Sequence, residues 1–155
     1  MKSTGFFKTV LLTGLFVGLM DLILAIVNQM VHTGKYPDKM LNYIAGGALG
    51  LQTALAGGNG VQLLGLFFHF FIAFSFTLFF FWIFPRVPFL SFNKYLIGIL
   101  YGIFVSLVMG QIIVPLSRLP KWGFSVSGSL IDWIVFGTLF GIPVAYNTYK
   151  YYSSI

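Results

Sequence analysis

The sequence predicts an all-α membrane protein: a four-transmembrane-helix bundle with an additional short interfacial or re-entrant helix. Three observations carry that reading. Of 155 residues, 58% are hydrophobic and only 8% charged, against roughly 25% charged in an ordinary soluble domain. A water-soluble fold built from this chain would lack the polar side chains to cover itself. Apolar runs also recur at the length of about 20 residues that crosses about 30 Å of hydrocarbon at about 1.5 Å per residue. The purest of them, 60–84, holds one histidine, His69, and no formally charged residue. Finally, glycines repeat every four residues in several runs, the spacing that lets helix backbones approach closely in lipid. The length allows one integral membrane domain, 1–155, with no room for a soluble one.

The N-terminus starts basic and turns apolar, as a signal peptide does, but the run continues to Val31 without a small-residue cleavage site. It therefore reads as a retained first span, about 9–31, between Lys8 and His32. At about 100° per residue, Gly14, Gly18, Asp21, Ala25, Asn28 and His32 share a stripe of roughly 80°, whereas Leu11, Leu15, Phe16 and Leu22 lie elsewhere. A costly intramembrane carboxylate belongs on such a small, polar face.

A loop with Gly34 and Pro37 leads into a helix at about 38–56, where Gly46, Gly50 and Ala54 recur at i+4. Its polar residues and glycines make it borderline for crossing, hence the interfacial or re-entrant assignment. After the GGNG turn, the second span covers about 62–84. Gln62, Gly65, His69 and Ala73 form its small-residue stripe, and the phenylalanines are expected to face lipid or a partner. Trp82, Pro85 and Arg86 close it.

The third span, about 95–114, carries a ridge of Gly98, Gly102, Ser106 and Gly110. Pro115 and Pro120 are expected to break it, with Arg118, Lys121 and Trp122 at the headgroups. The fourth, about 127–146, has Asp132 one to two turns inside, a kink expected at Pro143, and a terminal belt of Tyr146, Tyr149, Tyr151 and Tyr152 around Lys150. No inverted repeat relates the spans.

Net charge is +6, but Lys and Arg stand singly at segment ends. That pattern suits anionic headgroups and argues against a nucleic-acid surface. With four spans, Lys2, Lys8, Arg86, Lys94 and Lys150 share one side, and Lys35, Lys39, Arg118 and Lys121 the other, so the charge rule is nearly balanced. Letting the first helix lead places both termini in the cytoplasm. Without cysteine, thiolate metal sites, Fe–S clusters and disulfides are excluded.

The polar intramembrane site predicted here comprises Asp21, Asn28, His69 and Asp132, with Gln111 and His32 nearer the ends. An ionisable group in a membrane helix costs about 2.5–3.5 kcal/mol on insertion scales, which makes each a functional hypothesis. Each also has a structural reading: a protonated Asp21 bonded to a neighbouring helix, a neutral His69 bridging two helices, Asp132 starting its helix. Gly14, Gly18, Gly46, Gly50, Gly65, Gly98, Gly102 and Gly110 are assigned to helix packing. No local spacing of metal ligands is present, no catalytic residue is assigned, and no cofactor is expected.

The phrases LNYIAGGALG (Leu41 to Gly50), LGLFFHFFIAF (Leu64 to Phe74) and YG…PLS (Tyr101 to Ser117) resemble a group of uncharacterised small bacterial integral membrane proteins and, more distantly, YagU-like inner-membrane proteins. The resemblance covers nearly the whole chain and implies the bacterial inner membrane, without an activity. Members tend to have histidine near the start of the last span, where this chain has Asp132, which counts against a two-histidine site.

The function expected is that of a non-enzymatic accessory or structural subunit of a membrane assembly or homo-oligomer, with the lipid bilayer and a membrane protein as partners and no nucleic acid. Two alternatives remain open: a small proton- or ion-linked transporter or channel using Asp21 and His69, and a cofactor- or lipid-binding protein with His69 as ligand.

Overall fold

The computed structural model describes residues 3–120 and 133–154, and every regular element among them is helical. Helix α1 covers Ser3–Thr33, α2 Met40–Leu49, α3 Leu51–Ala56 and α4 Asn59–Ile83. After two 3-10 turns come α5, Lys94–Val108, a π-helical stretch Met109–Ile113, and the short α6, Val114–Leu116. The last segment is helical from 133, passes through a second π stretch, Phe136–Gly141, and ends in α7, Ile142–Ser153. Three helical runs are long and apolar enough to cross a membrane: Gly5–Thr33, Asn59–Arg86 and Lys94–Leu116. Residues 127–132 of the predicted fourth span, and the predicted headgroup anchors Lys121 and Trp122, lie outside the described residues.

On α1 the buried positions are Val10, Thr13, Gly14, Val17 and Gly18, the i, i+3, i+4, i+7 pattern of one helix face. That face meets α4 in antiparallel register. A Cβ on Gly14 would strike the Phe74 ring, and one on Gly18 would come within 2.9 Å of the Phe70 ring and 3.2 Å of the Ala73 methyl. The glycines are therefore sockets for aromatic rings. Not every phenylalanine of α4 points outward, as the sequence suggested: Phe80 and Phe81 are fully buried, while Phe67 and Phe71 are exposed.

Because α1 and α4 are antiparallel neighbours, α2 and α3 return the chain to the end of the bundle from which it left. The predicted single helix at 38–56 is in fact a helical hairpin. Gly50 breaks it, with φ +87° and ψ 143°, a conformation that L side chains rarely adopt. Gly50 has nothing within 4 Å of an added Cβ, so its role is the bend and not the helix packing assigned from sequence. The Asn42 side chain, fully buried, donates from Nδ2 to the Ala54 carbonyl at 2.8 Å and the Gly57 carbonyl at 3.0 Å. This ties α3 back onto α2. Gly65 of α4 sits against the Leu41 carbonyl, and the Arg118 amide donates to the Gly47 carbonyl at 3.0 Å. With about 15 Å in α2 and about 9 Å in α3, neither arm reaches across about 30 Å of hydrocarbon.

The core lies among α1, α4, α5 and α7 and contains Val17, Ala73, Phe80, Ile97, Tyr101, Val105, Phe140 and Val144. Its closest contact joins α5 to the last segment. A Cβ on Gly98 would meet the Ile142 Cα at 2.6 Å, and one on Gly141 would collide with the Gly98 carbonyl and reach the Gly102 amide nitrogen at 2.8 Å. Gly102 faces Gly137 in the same way. Gly98 and Gly102 thus pack as the ridge predicts, against a Gly137–x–x–x–Gly141 pair that the ridge on α5 alone does not reveal. Gly110 does not belong to the contact. It is exposed in the π stretch, with nothing within 4 Å of an added Cβ.

The helix that carries Pro115 ends one residue later, at Leu116, and the last helix continues past Pro143. Each proline follows a π stretch in which an amide bonds five residues back, Val114 to Met109 and Ile142 to Gly137. That wider turn shifts the carbonyl a proline ring would otherwise strike. At the other end of α5, Asn93 Oδ1 accepts from the Tyr95 amide at 3.0 Å and the Leu96 amide at 3.2 Å, a side-chain N-cap. Phe6 packs edge-on against Tyr151 with ring centroids 5.8 Å apart, which places the start of α1 and the end of α7 at one end of the bundle.

Candidate polar site inside the bundle

His69 lies on the half-buried inner face of α4, where its Nε2 is 2.8 Å from the Gly18 carbonyl of α1. A carbonyl can only accept, so Nε2 carries the hydrogen of this bond. The ring is held edge-on by Phe70, with centroids 5.3 Å apart. Asp21 is one turn beyond Gly18 on the same face of α1 and half-buried. Among the described residues no direct hydrogen bond or ion pair joins the Asp21 and His69 side chains. The stripes of α1 and α4 therefore meet as predicted, but the bond is made by backbone at Gly18.

Asn28 is not part of this meeting. Two turns further along α1, it is exposed and lines a cleft with the 34–40 loop. Gln62 anchors that loop by donating to the Asp38 carbonyl at 3.2 Å. His32 and Gln111 are exposed, and Asp132 lies outside the described residues. Among the described residues no three His, Asp or Glu side chains converge. The Asp21–His69 pair offers one carboxyl group and one imidazole, fewer ligating side chains than a protein-held zinc site uses. Any group ligated by His69 would have to take Nδ1 or displace the Gly18 bond.

Two further interhelical ties were not singled out from sequence. The Tyr101 hydroxyl donates to the Phe76 carbonyl at 2.6 Å and the Tyr152 hydroxyl to the Phe81 carbonyl at 2.9 Å. With His69 and Asn42 they form one pattern: each polar side chain ends on a backbone carbonyl of a neighbouring segment. At the outer surface, Arg86 stacks over Trp82 at 4.3 Å, and the Lys94 ammonium lies 4.7 Å from the Tyr146 ring centroid and 5.4 Å from those of Tyr95 and Tyr149. Such pairings place cations beside amphipathic rings.

If His69 works as a bridge, His69→Leu lowers the unfolding free energy by about 0.6 kcal/mol and at most about 1.7, the range of interhelical hydrogen bonds in membranes. Reversible unfolding in mixed micelles measures this, and His69→Gln, which keeps a donor, recovers part of the loss. No protein-family model, curated protein or solved structure matches this chain.

Proposed function

We propose that the chain is a four-span, non-enzymatic integral membrane protein that serves as an accessory or structural subunit, packed against a second copy of itself or another membrane protein. One observation carries the reading: the outer face of α4 presents Leu63, Phe67 and Phe71 at 67%, 60% and 58% exposure. From Phe71 an apolar groove of about 720 Å³ continues between α1 and α4, lined by Phe7, Leu11, Phe74 and Leu78 among others. The most apolar stretches of the three long helices are only 28%, 22% and 28% buried within the chain. The Asn42 amide nitrogen, His69, Tyr101 and Tyr152, by contrast, are spent on backbone ties. A fourth crossing is supported by the antiparallel run of the last segment along α5 back to the start of α1. The bacterial inner membrane rests on the resemblance, and cytoplasmic termini on the leading first helix.

The cysteine-free chain makes the test clean. Leu63→Cys, Phe67→Cys and Phe71→Cys are introduced singly and oxidised in native membranes. Disulfide-linked dimers from at least one position, or a bismaleimide adduct to one larger protein, support the reading. If all three react with a lipid-soluble maleimide and none cross-links, this face meets only lipid and the reading fails.

A second reading is favoured by the Asp21 carboxyl beside His69: a proton- or ion-linked path through the α1–α4 seam. On that reading Asp21→Asn abolishes flux in proteoliposomes while the circular dichroism of the helices is kept. Flux equal to that of the unaltered protein removes it.

A further inference from the structure

The cleft at the far end of α1 has a volume of about 680 Å³, within the range of small-molecule sites. Its walls are of two kinds. Ala25 of α1, Met40 of α2 and Leu55 of α3 supply an apolar floor, and Asn28, Lys35 and Lys39 a polar rim. Both lysines are exposed; one carboxylate, Asp38, also lines the cleft, leaving the rim a net positive charge. Ala25 lies about 12 Å below the end of α1, so the cleft runs from headgroup depth into the apolar layer.

The rim is held in place by the backbone. Gly34, at φ +66°, closes α1 with its amide on the Met30 carbonyl at 2.8 Å, an αL cap. Thr33 Oγ1 donates to the Gln29 carbonyl at 2.7 Å, and the Met40 amide to the Pro37 carbonyl at 3.1 Å. Gln62 of α4 fixes the loop from below. The loop that carries Lys35 and Lys39 is therefore set before any ligand arrives, which lowers the entropic cost of binding.

We propose that this cleft binds one anionic phospholipid, its phosphate between Lys35 and Lys39 and the upper part of an acyl chain on Ala25, Met40 and Leu55. A soluble anion would gain nothing from the apolar floor, and a zwitterionic lipid would bring its own cation to a rim that already carries net positive charge. The inference rests on the membrane reading but not on the subunit reading.

The test uses the full chain in a non-ionic detergent, titrated with dioleoylphosphatidylglycerol or dioleoylphosphatidylcholine and read by native mass spectrometry. The phosphatidylglycerol adduct is expected to dominate, and Lys35→Ala/Lys39→Ala to weaken it roughly 25-fold, about fivefold per lysine. Lys94→Ala/Lys150→Ala, at the opposite end, leaves it unchanged. Equal binding of the two lipids, or undiminished binding by the Lys35/Lys39 variant, overturns the proposal. Displacement of the adduct by millimolar inorganic phosphate also overturns it, since a free anion would then suffice. An alkaline carbonate wash of the expressing membranes separates the two levels: release of the chain contradicts the membrane reading itself, whereas retention without lipid preference contradicts only this site.

Discussion

Gly141→Ala is expected to prevent α5 and α7 from closing. The added methyl would collide with the Gly98 carbonyl and press on the Gly102 amide, which are backbone atoms and cannot turn aside as a side chain can. Overpacking costs about 1–3 kcal/mol where side chains can adjust. Here both partners are helix backbones, so the loss should exceed about 3 kcal/mol, a large part of a small protein's stability. Gly98→Ala, which brings its methyl to 2.6 Å from the Ile142 Cα, should do the same, and combining the two should add little once the seam is open. Gly110→Ala is the control. With open space around it, it should shift stability by no more than about 0.5 kcal/mol. Folded yield by size-exclusion chromatography in detergent, followed by unfolding in mixed micelles, checks all three.

The second large effect is expected at Asn42. It is fully buried and supplies both donors that hold α3 against α2. Asn42→Ala removes two hydrogen bonds and leaves the Gly57 carbonyl short of a partner, while the Ala54 carbonyl keeps the Gly57 amide, a loss of about 2–4 kcal/mol at about 1 kcal/mol per bond plus the cost of the unsatisfied group. Asn42→Leu should fail in the same way, because volume is restored but donors are not. Hydrogen–deuterium exchange reads the outcome locally: protection across 51–57 is lost while that of α4 and α5 persists. An unchanged exchange pattern would show that the packing of Gly46 against Leu51 and Ala54 holds the hairpin without the Asn42 bonds.

These two sites mark where the sequence was legible and where it was not. The long helices could be read because their length and apolarity are set by hydrocarbon thickness, and the Gly14–Gly18–Asp21 stripe because helical spacing puts those residues on one face. The meeting of that stripe with His69 followed from the same arithmetic. What Asp21 and His69 bond to did not, since a backbone carbonyl competes for the imidazole and has no signature among side chains. The hairpin at 40–56 was hidden because Gly50 fits a packing ridge and a chain break equally well, and only its φ distinguishes them. Asn42, one amide in an apolar helix, carried no pattern. Gly137 and Gly141 did carry one, a small–xxx–small spacing, but in a span whose reading centred on Asp132 and Pro143. The π stretches before Pro115 and Pro143 answer to local sterics that periodicity does not register.

The proposed subunit role requires that the exposed outer face of α4, with Leu63, Phe67 and Phe71, be covered by protein in the membrane. The most direct test is the mass of the particle extracted from its native membrane in lipid nanodiscs without prior detergent exposure. The expected result is a particle containing two or more copies of the 17.3 kDa chain, or one copy with a stoichiometric membrane partner, disrupted by Phe67→Asp and Phe71→Asp. A single 17.3 kDa chain surrounded only by lipid would contradict it.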